Sequence, residues 1–75
     1  AIAPYAGRTS PIKVYKEKSI ENTGDYGLNV KLGNLYELIF DYSKAEKEYK
    51  EAISKSPYGV YSPYFGLANI YIKQR

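Results

Sequence analysis

The chain of 75 residues contains no cysteine, no histidine, no methionine and no tryptophan. Without cysteine no disulfide can restrict the unfolded chain. Without cysteine and histidine, the zinc sites, Ser-His and Cys-His nucleophiles and haem attachments built on them are excluded. The missing methionine leads to the expectation of a chain processed at its N-terminus or excised from a longer one. No apolar run approaches the roughly 20 residues needed to span a bilayer, and residues 1–10 lack the apolar centre of a signal peptide. No glycine-rich loop that could cradle a phosphate is present, and the carboxylates form no pair by spacing, which argues against an enzyme. Neither a cofactor nor a metal is expected.

What remains is a small helical composition. The formal charge of +3 comes from excess lysine and arginine near the two ends, while the middle is close to neutral, a weak argument for nucleic acid. A chain of this length buries only about 60% of its unfolded surface, so stability has to come from helix packing or from a partner.

Four helices are expected, over residues 10–22, 26–39, 42–55 and 62–74, with residues 1–9 as a tail or linker because Pro4 and Gly7 interrupt any periodicity there. Ser10-Pro11 supplies a capping oxygen followed by a proline at the first helical position. Ile12, Tyr15, Ser19 and Ile20 form a thin apolar stripe, and Gly24 is the expected left-handed cap after it. Asp25 caps the second helix, in which Leu28, Leu32, Leu35, Tyr36 and Ile39 follow helical spacing and Val30, Asn34 and Leu38 form a second stripe. A helix with two such stripes is sandwiched between neighbours or lines a groove. Asp41 or Ser43 starts the third helix, whose buried stripe is Ala45, Tyr49, Ala52 and Ile53. Its other residues read as a solvated charged face with Glu46–Lys50 and Glu51–Lys55 pairs. Ser62-Pro63 repeats the capped start, followed by a core stripe of Tyr64, Leu67, Ala68 and Tyr71 and a second stripe of Phe65, Asn69 and Ile72.

The chain also resembles itself. Leu32-Gly33-Asn34-x-Tyr36 recurs as Leu67-Ala68-Asn69-x-Tyr71, shifted by 35 residues, and Tyr15-Lys16-Glu17 recurs as Tyr49-Lys50-Glu51, shifted by 34. Such a period, built from two helices, marks an array whose single units cannot bury their own apolar faces. Leu32, Gly33, Tyr36, Ala45, Tyr49, Ala52 and Pro57 resemble the tetratricopeptide repeat (TPR) family, matching Leu-Gly-x-x-Tyr, Ala-x-x-x-aromatic-x-x-Ala and the closing Pro at the family's spacing. The resemblance covers about residues 10–75, as one complete repeat with a half-repeat on either side. It implies an all-α fold in which antiparallel helix-turn-helix pairs stack as a short right-handed superhelical solenoid. Two substitutions depart from the family pattern: Asn29 stands at the opening aromatic and Phe40 where glycine makes the turn. The connection Ser56–Tyr61 is also one residue longer than usual. Gly33, Ala45, Ala52 and Ala68 are expected where helices approach closely, with tyrosines filling the gaps.

In that family the first helix of each pair lines a concave groove for a peptide or a partner helix. Carried over, the groove residues are Val30, Asn34, Glu37, Leu38, Phe65, Asn69, Ile72 and Lys73. The clamps that this family uses for a chaperone's C-terminal carboxylate place a lysine one turn before such an asparagine. Here Val30 and Phe65 occupy those places, so an apolar ligand segment fits better. The expected role is a protein-interaction module, a scaffold or adaptor whose partner is another protein or peptide. The alternative is a self-associating fragment of a longer solenoid, pairing with copies of itself through its terminal helices. A nucleic-acid-binding helical domain using tyrosines as stacking platforms ranks below both.

Overall fold

A computed structural model describes residues 10–74 of the chain; the tail expected over residues 1–9 lies outside them. Among the described residues the protein is all-helical, with α1 (Pro11–Glu21), α2 (Tyr26–Leu38), α3 (Tyr42–Lys55) and α4 (Ser62–Lys73) and no strand.

The helix boundaries follow from local chemistry. Ser10 Oγ accepts from the Lys13 N–H at 3.3 Å, and Pro11 opens the helix. At the far end Asn22 closes α1, its backbone N–H and its Nδ2 both donating to the Lys18 carbonyl. The left-handed cap expected at Gly24 is therefore not used: of the described glycines only Gly59 has a positive φ. Asp25 Oδ1 accepts from the Gly27 N–H at 3.0 Å. Asp41 rather than Ser43 caps α3, accepting from the Lys44 N–H at 3.3 Å. Ser62 lies inside the first turn of α4 instead of capping it; the preceding residue, Tyr61, makes no side-chain cap.

The turn between α2 and α3 is built on Phe40. Its φ of 63° is left-handed, its N–H donates to the Glu37 carbonyl, and the Asp41 N–H donates to the Tyr36 carbonyl. This pair of bonds is the Schellman ending, usually made with glycine because a Cβ is disfavoured there. The ring gains little from the core: it is 76% exposed, with Tyr42 edge to face at 6.3 Å.

Side-chain contacts fix the packing. Asn29 near the start of α2 meets Glu48 and Lys55 late in α3, and Tyr71 late in α4 meets Glu46 early in α3. Successive helices in these two pairs are thus antiparallel, and α2 runs parallel to α4, with Glu37 bonded to Asn69 and Lys73. α3 packs against both, and α1 packs on α2 alone. The molecule is flat, 43 × 34 × 15 Å, which leaves few positions that helices cover from more than one side. Leu32, Tyr36, Ala45, Tyr49, Ala52, Pro63 and Ile70 are the apolar side chains buried in the core.

Tyr49 is the centre of this core. Its ring is wedged between two glycines: a Cβ on Gly33 would fall 2.6 Å from the ring, and one on Gly66 would overlap it too. Both helices can approach α3 only because those positions carry no side chain.

Four expectations about packing are corrected. In α4 the buried face is Pro63 and Ile70 with half-buried Gly66 and Leu67, whereas Tyr64, Ala68 and Tyr71 are exposed. Gly66, not Ala68, makes the close approach, because α4 meets α3 through this neighbouring stripe. Ile20 and Ile39, expected in stripes, are exposed at helix ends where no neighbour reaches them. Finally, the charged face of α3 is not wholly solvated. Asn29 is only 3% exposed; its Nδ2 donates to Glu48 Oε1 at 3.0 Å and its Oδ1 accepts from Lys55 Nζ at 2.9 Å. Lys55 therefore serves Asn29 instead of pairing with Glu51, while Glu46–Lys50 forms as expected at 2.9 Å. A buried amide needs such partners, since an unsatisfied one costs about 1–3 kcal/mol.

Candidate functional site

Because α2 and α4 run parallel on the same side of α3, a concavity of about 790 Å³ opens between them. Helical spacing places Val30, Asn34 and Leu38 in one row on α2, and Phe65, Asn69 and Ile72 in a facing row on α4. All eight residues expected to form a groove line this one concavity: Val30, Asn34, Glu37, Leu38, Phe65, Asn69, Ile72 and Lys73. Tyr49, Ser62, Gly66 and Ala68 line it as well and were not foreseen there. For Gly66 the one sequence signal is a glycine inside a helix, which costs about 1 kcal/mol relative to alanine and calls for a packing reason. The spacing places the Tyr49 ring in the core but carries no signal for the position of its hydroxyl.

That hydroxyl organises the middle of the groove. Tyr49 Oη lies 2.5 Å from Glu37 Oε1 and 2.6 Å from the Asn34 side-chain amide. A phenol has one proton, and a carboxylate is the stronger acceptor, so the proton goes to Glu37. The contact with Asn34 then closes with that amide turned to donate its N–H to Oη, which points its carbonyl outward. Glu37 Oε2 accepts from Asn69 Nδ2 at 3.0 Å and from Lys73 Nζ at 2.9 Å. The Asn69 carbonyl, like that of Asn34, then has no partner among the described residues.

The electrostatics follow from these bonds. Partial burial pushes the Glu37 carboxyl upward, but the hydrogen bonds from Tyr49, Lys73 and Asn69 and the charge of Lys73 outweigh it and hold it below its ordinary value. Burial, the bond to Glu37 and the charge of Glu37 together push the Tyr49 phenol well above the usual range. The Lys73 ammonium is held charged by the same carboxylate. The one acid and the one base of the groove neutralise each other. Its two ends, Val30 with Phe65 and Leu38 with Ile72, are apolar, and Phe65, Leu38 and Ile72 are largely open to solvent.

Chemically this arrangement can hold an apolar segment at two ends and accept hydrogen bonds in between. No group of three His, Cys, Asp or Glu side chains among the described residues could hold a metal ion. No helix among them is long and apolar enough to cross a membrane. Comparisons with protein-family models, with curated proteins and with solved structures find no match to this chain.

Proposed function

We propose that the protein is a helical-repeat interaction module of the TPR type, whose groove between α2 and α4 binds an extended peptide segment of another protein. The observation that carries this reading is the convergence of Val30, Asn34, Leu38, Phe65, Asn69 and Ile72 on one concavity with apolar ends and a neutralised polar centre. Large exposed apolar side chains gathered in a groove favour a docking role over a solvated surface.

Groove geometry suggests the ligand's chemistry. Val30 and Leu38 are eight residues apart, about 12 Å along a helix. An extended chain covers that span in about four residues, so two apolar side chains at i and i+4 would reach both ends on the same face. The Asn34 and Asn69 carbonyls between them suit peptide N–H groups, which an extended chain offers and a helix has already used. A carboxylate clamp is disfavoured, because Val30 and Phe65 are apolar and Lys73 is already paired with Glu37.

The test begins with a displayed library of random 12-residue peptides selected against the chain. Enriched peptides should carry apolar residues at i and i+4. The Leu38→Ala/Phe65→Ala double variant should keep its helical circular dichroism and bind them at least tenfold more weakly. Equal binding by that variant would remove the groove as the site.

A further inference from the structure

α4 has two apolar faces, and only one of them is used by the fold. Pro63, Gly66 and Ile70 pack on α3, whereas Tyr64 is 52% exposed, Tyr71 is 46% exposed with its hydroxyl bonded to Glu46 of α3, and Ala68, which borders the groove, is exposed. The 35-residue offset shows what this open face corresponds to. In α2 the same places are Asn29, Gly33 and Tyr36, all buried beneath α3. α4 therefore presents the face that, in α2, receives an antiparallel helix.

A helix suited to that face stands at the other end of the chain. By the 34-residue offset α1 corresponds to α3, with Tyr15 in the place of Tyr49. The Tyr49 ring is gripped from both sides, by α2 and by α4. Tyr15 has α2 on one side, where it packs on the core and lies 5.6 Å from Lys31 Nζ, but among the described residues α1 has no second helix against it. Its remaining face carries half-buried Val14 and exposed Lys18 and Glu21, in the places of Glu48, Ala52 and Lys55 of α3. The two uncovered faces are the two halves of the contact that α2 and α3 make.

We propose that α1 of a second copy docks antiparallel on α4, setting Val14 against Tyr64 and Tyr15 against Ala68, as Glu48 meets Asn29 and Tyr49 meets Gly33, so that copies associate head to tail. Neither uncovered face carries a charge excess that would oppose this. The face of α4 is uncharged, and Lys18 and Glu21 offset one another. Lys18 replaces Ala52, so its long stem lies along the Tyr64 ring with the ammonium near the ring face, as Lys18 already lies 5.8 Å from Tyr15. The contact is accordingly looser than that between α2 and α3. One helix on one helix belongs to the small, transient class of interfaces, with association in the range of roughly 10 µM to 1 mM. The two surfaces differ, so the contact does not close on itself and assembly stays open-ended. The contact shares Ala68 with the groove lining but needs no bound peptide, and a chain that bound no peptide would still be expected to stack.

Sedimentation velocity of the 75-residue chain from about 10 µM to 1 mM tests it. The weight-average coefficient should rise continuously with concentration and show no plateau at the dimer. Ala68→Arg, at an exposed position, and Val14→Arg should each remain monomeric. An equimolar mixture of the two should form a dimer and nothing larger, because each variant retains the face the other has lost. A wild-type chain that stays monomeric to 1 mM would overturn the proposal. So would association that Ala68→Arg leaves intact, or a dimer plateau with no pairing in the mixture, which indicates a two-fold α4–α4 contact.

Discussion

α2 and α4 carry the same Leu-small-Asn-x-Tyr pattern 35 residues apart, yet the tyrosine that ends it is 4% exposed in α2 and 46% exposed in α4. The difference does not lie in either helix. α2 has α1, α3 and α4 around it, and α4 has no helix beyond it among the described residues. Hydrophobic stabilisation depends on the area that a neighbour takes from water, at about 25 cal/mol per Å². The same residue is therefore structural in one helix and available in the other.

The largest effect should come from truncating the two tyrosines. Tyr36→Ala opens the core and should cost about 3–5 kcal/mol, a large fraction of the roughly 4–11 kcal/mol expected for a chain of this length. Tyr71→Ala loses a half-exposed ring and a bond to Glu46 at 3.1 Å, and should cost about 1 kcal/mol. Urea unfolding of both variants measures the gap, and equal losses would mean that α4 is covered on both faces. Next come the two small residues of the pattern. Gly33→Leu drives a side chain into the Tyr49 ring and should cost about 1–3 kcal/mol, whereas Ala68→Leu should change stability by less than about 0.5 kcal/mol.

Legibility in the sequence divides along the same line. The caps at Ser10, Asp25 and Asp41 were readable because they involve residues within three positions of one another. Leu32, Gly33 and Tyr36 are readable as buried because two neighbours cover a wide face of α2, so a broad stripe suffices. In α4 the stripes 63/66/70 and 64/68/71 lie about 130° apart on the helix, and periodicity alone does not say which one meets α3. The groove rows were legible from spacing. The network joining Glu37 to Tyr49, Asn69 and Lys73 was not, since its members are 12 to 36 residues apart. Asn29 departs from the aromatic that the resemblance to tetratricopeptide repeats leads one to expect, but its partners Glu48 and Lys55 read in the sequence as ordinary surface charge.

Phe40 sharpens the comparison from the side of the turn. Phe40→Gly relieves the left-handed strain and removes only an exposed ring, so it should stabilise the chain by roughly 1 kcal/mol, seen as a higher melting temperature. The smallest expected effect is the pH dependence of the groove centre. Glu37 titrates below its ordinary value of 4.5 in the folded chain, so its contribution is present above that value and is lost as pH falls through the folded one. Tyr49 titrates above its ordinary value of 10.0, so its contribution is complete below that value and is lost as pH rises beyond it. Glu37→Gln should flatten the acid limb of the stability profile and Tyr49→Phe the alkaline limb.

The central claim is that recognition lies on the residues between the packing positions, along the groove between α2 and α4. Titrating the isotope-labelled chain with a selected peptide, and following backbone and asparagine side-chain amides by NMR, tests it most directly. The account predicts that the largest shifts fall on Val30, Asn34, Leu38, Phe65, Asn69 and Ile72, with the Asn34 and Asn69 side chains among them. Shifts concentrated instead on the charged outer face of α3, around Lys47 and Glu51, with the groove residues unmoved, would contradict it.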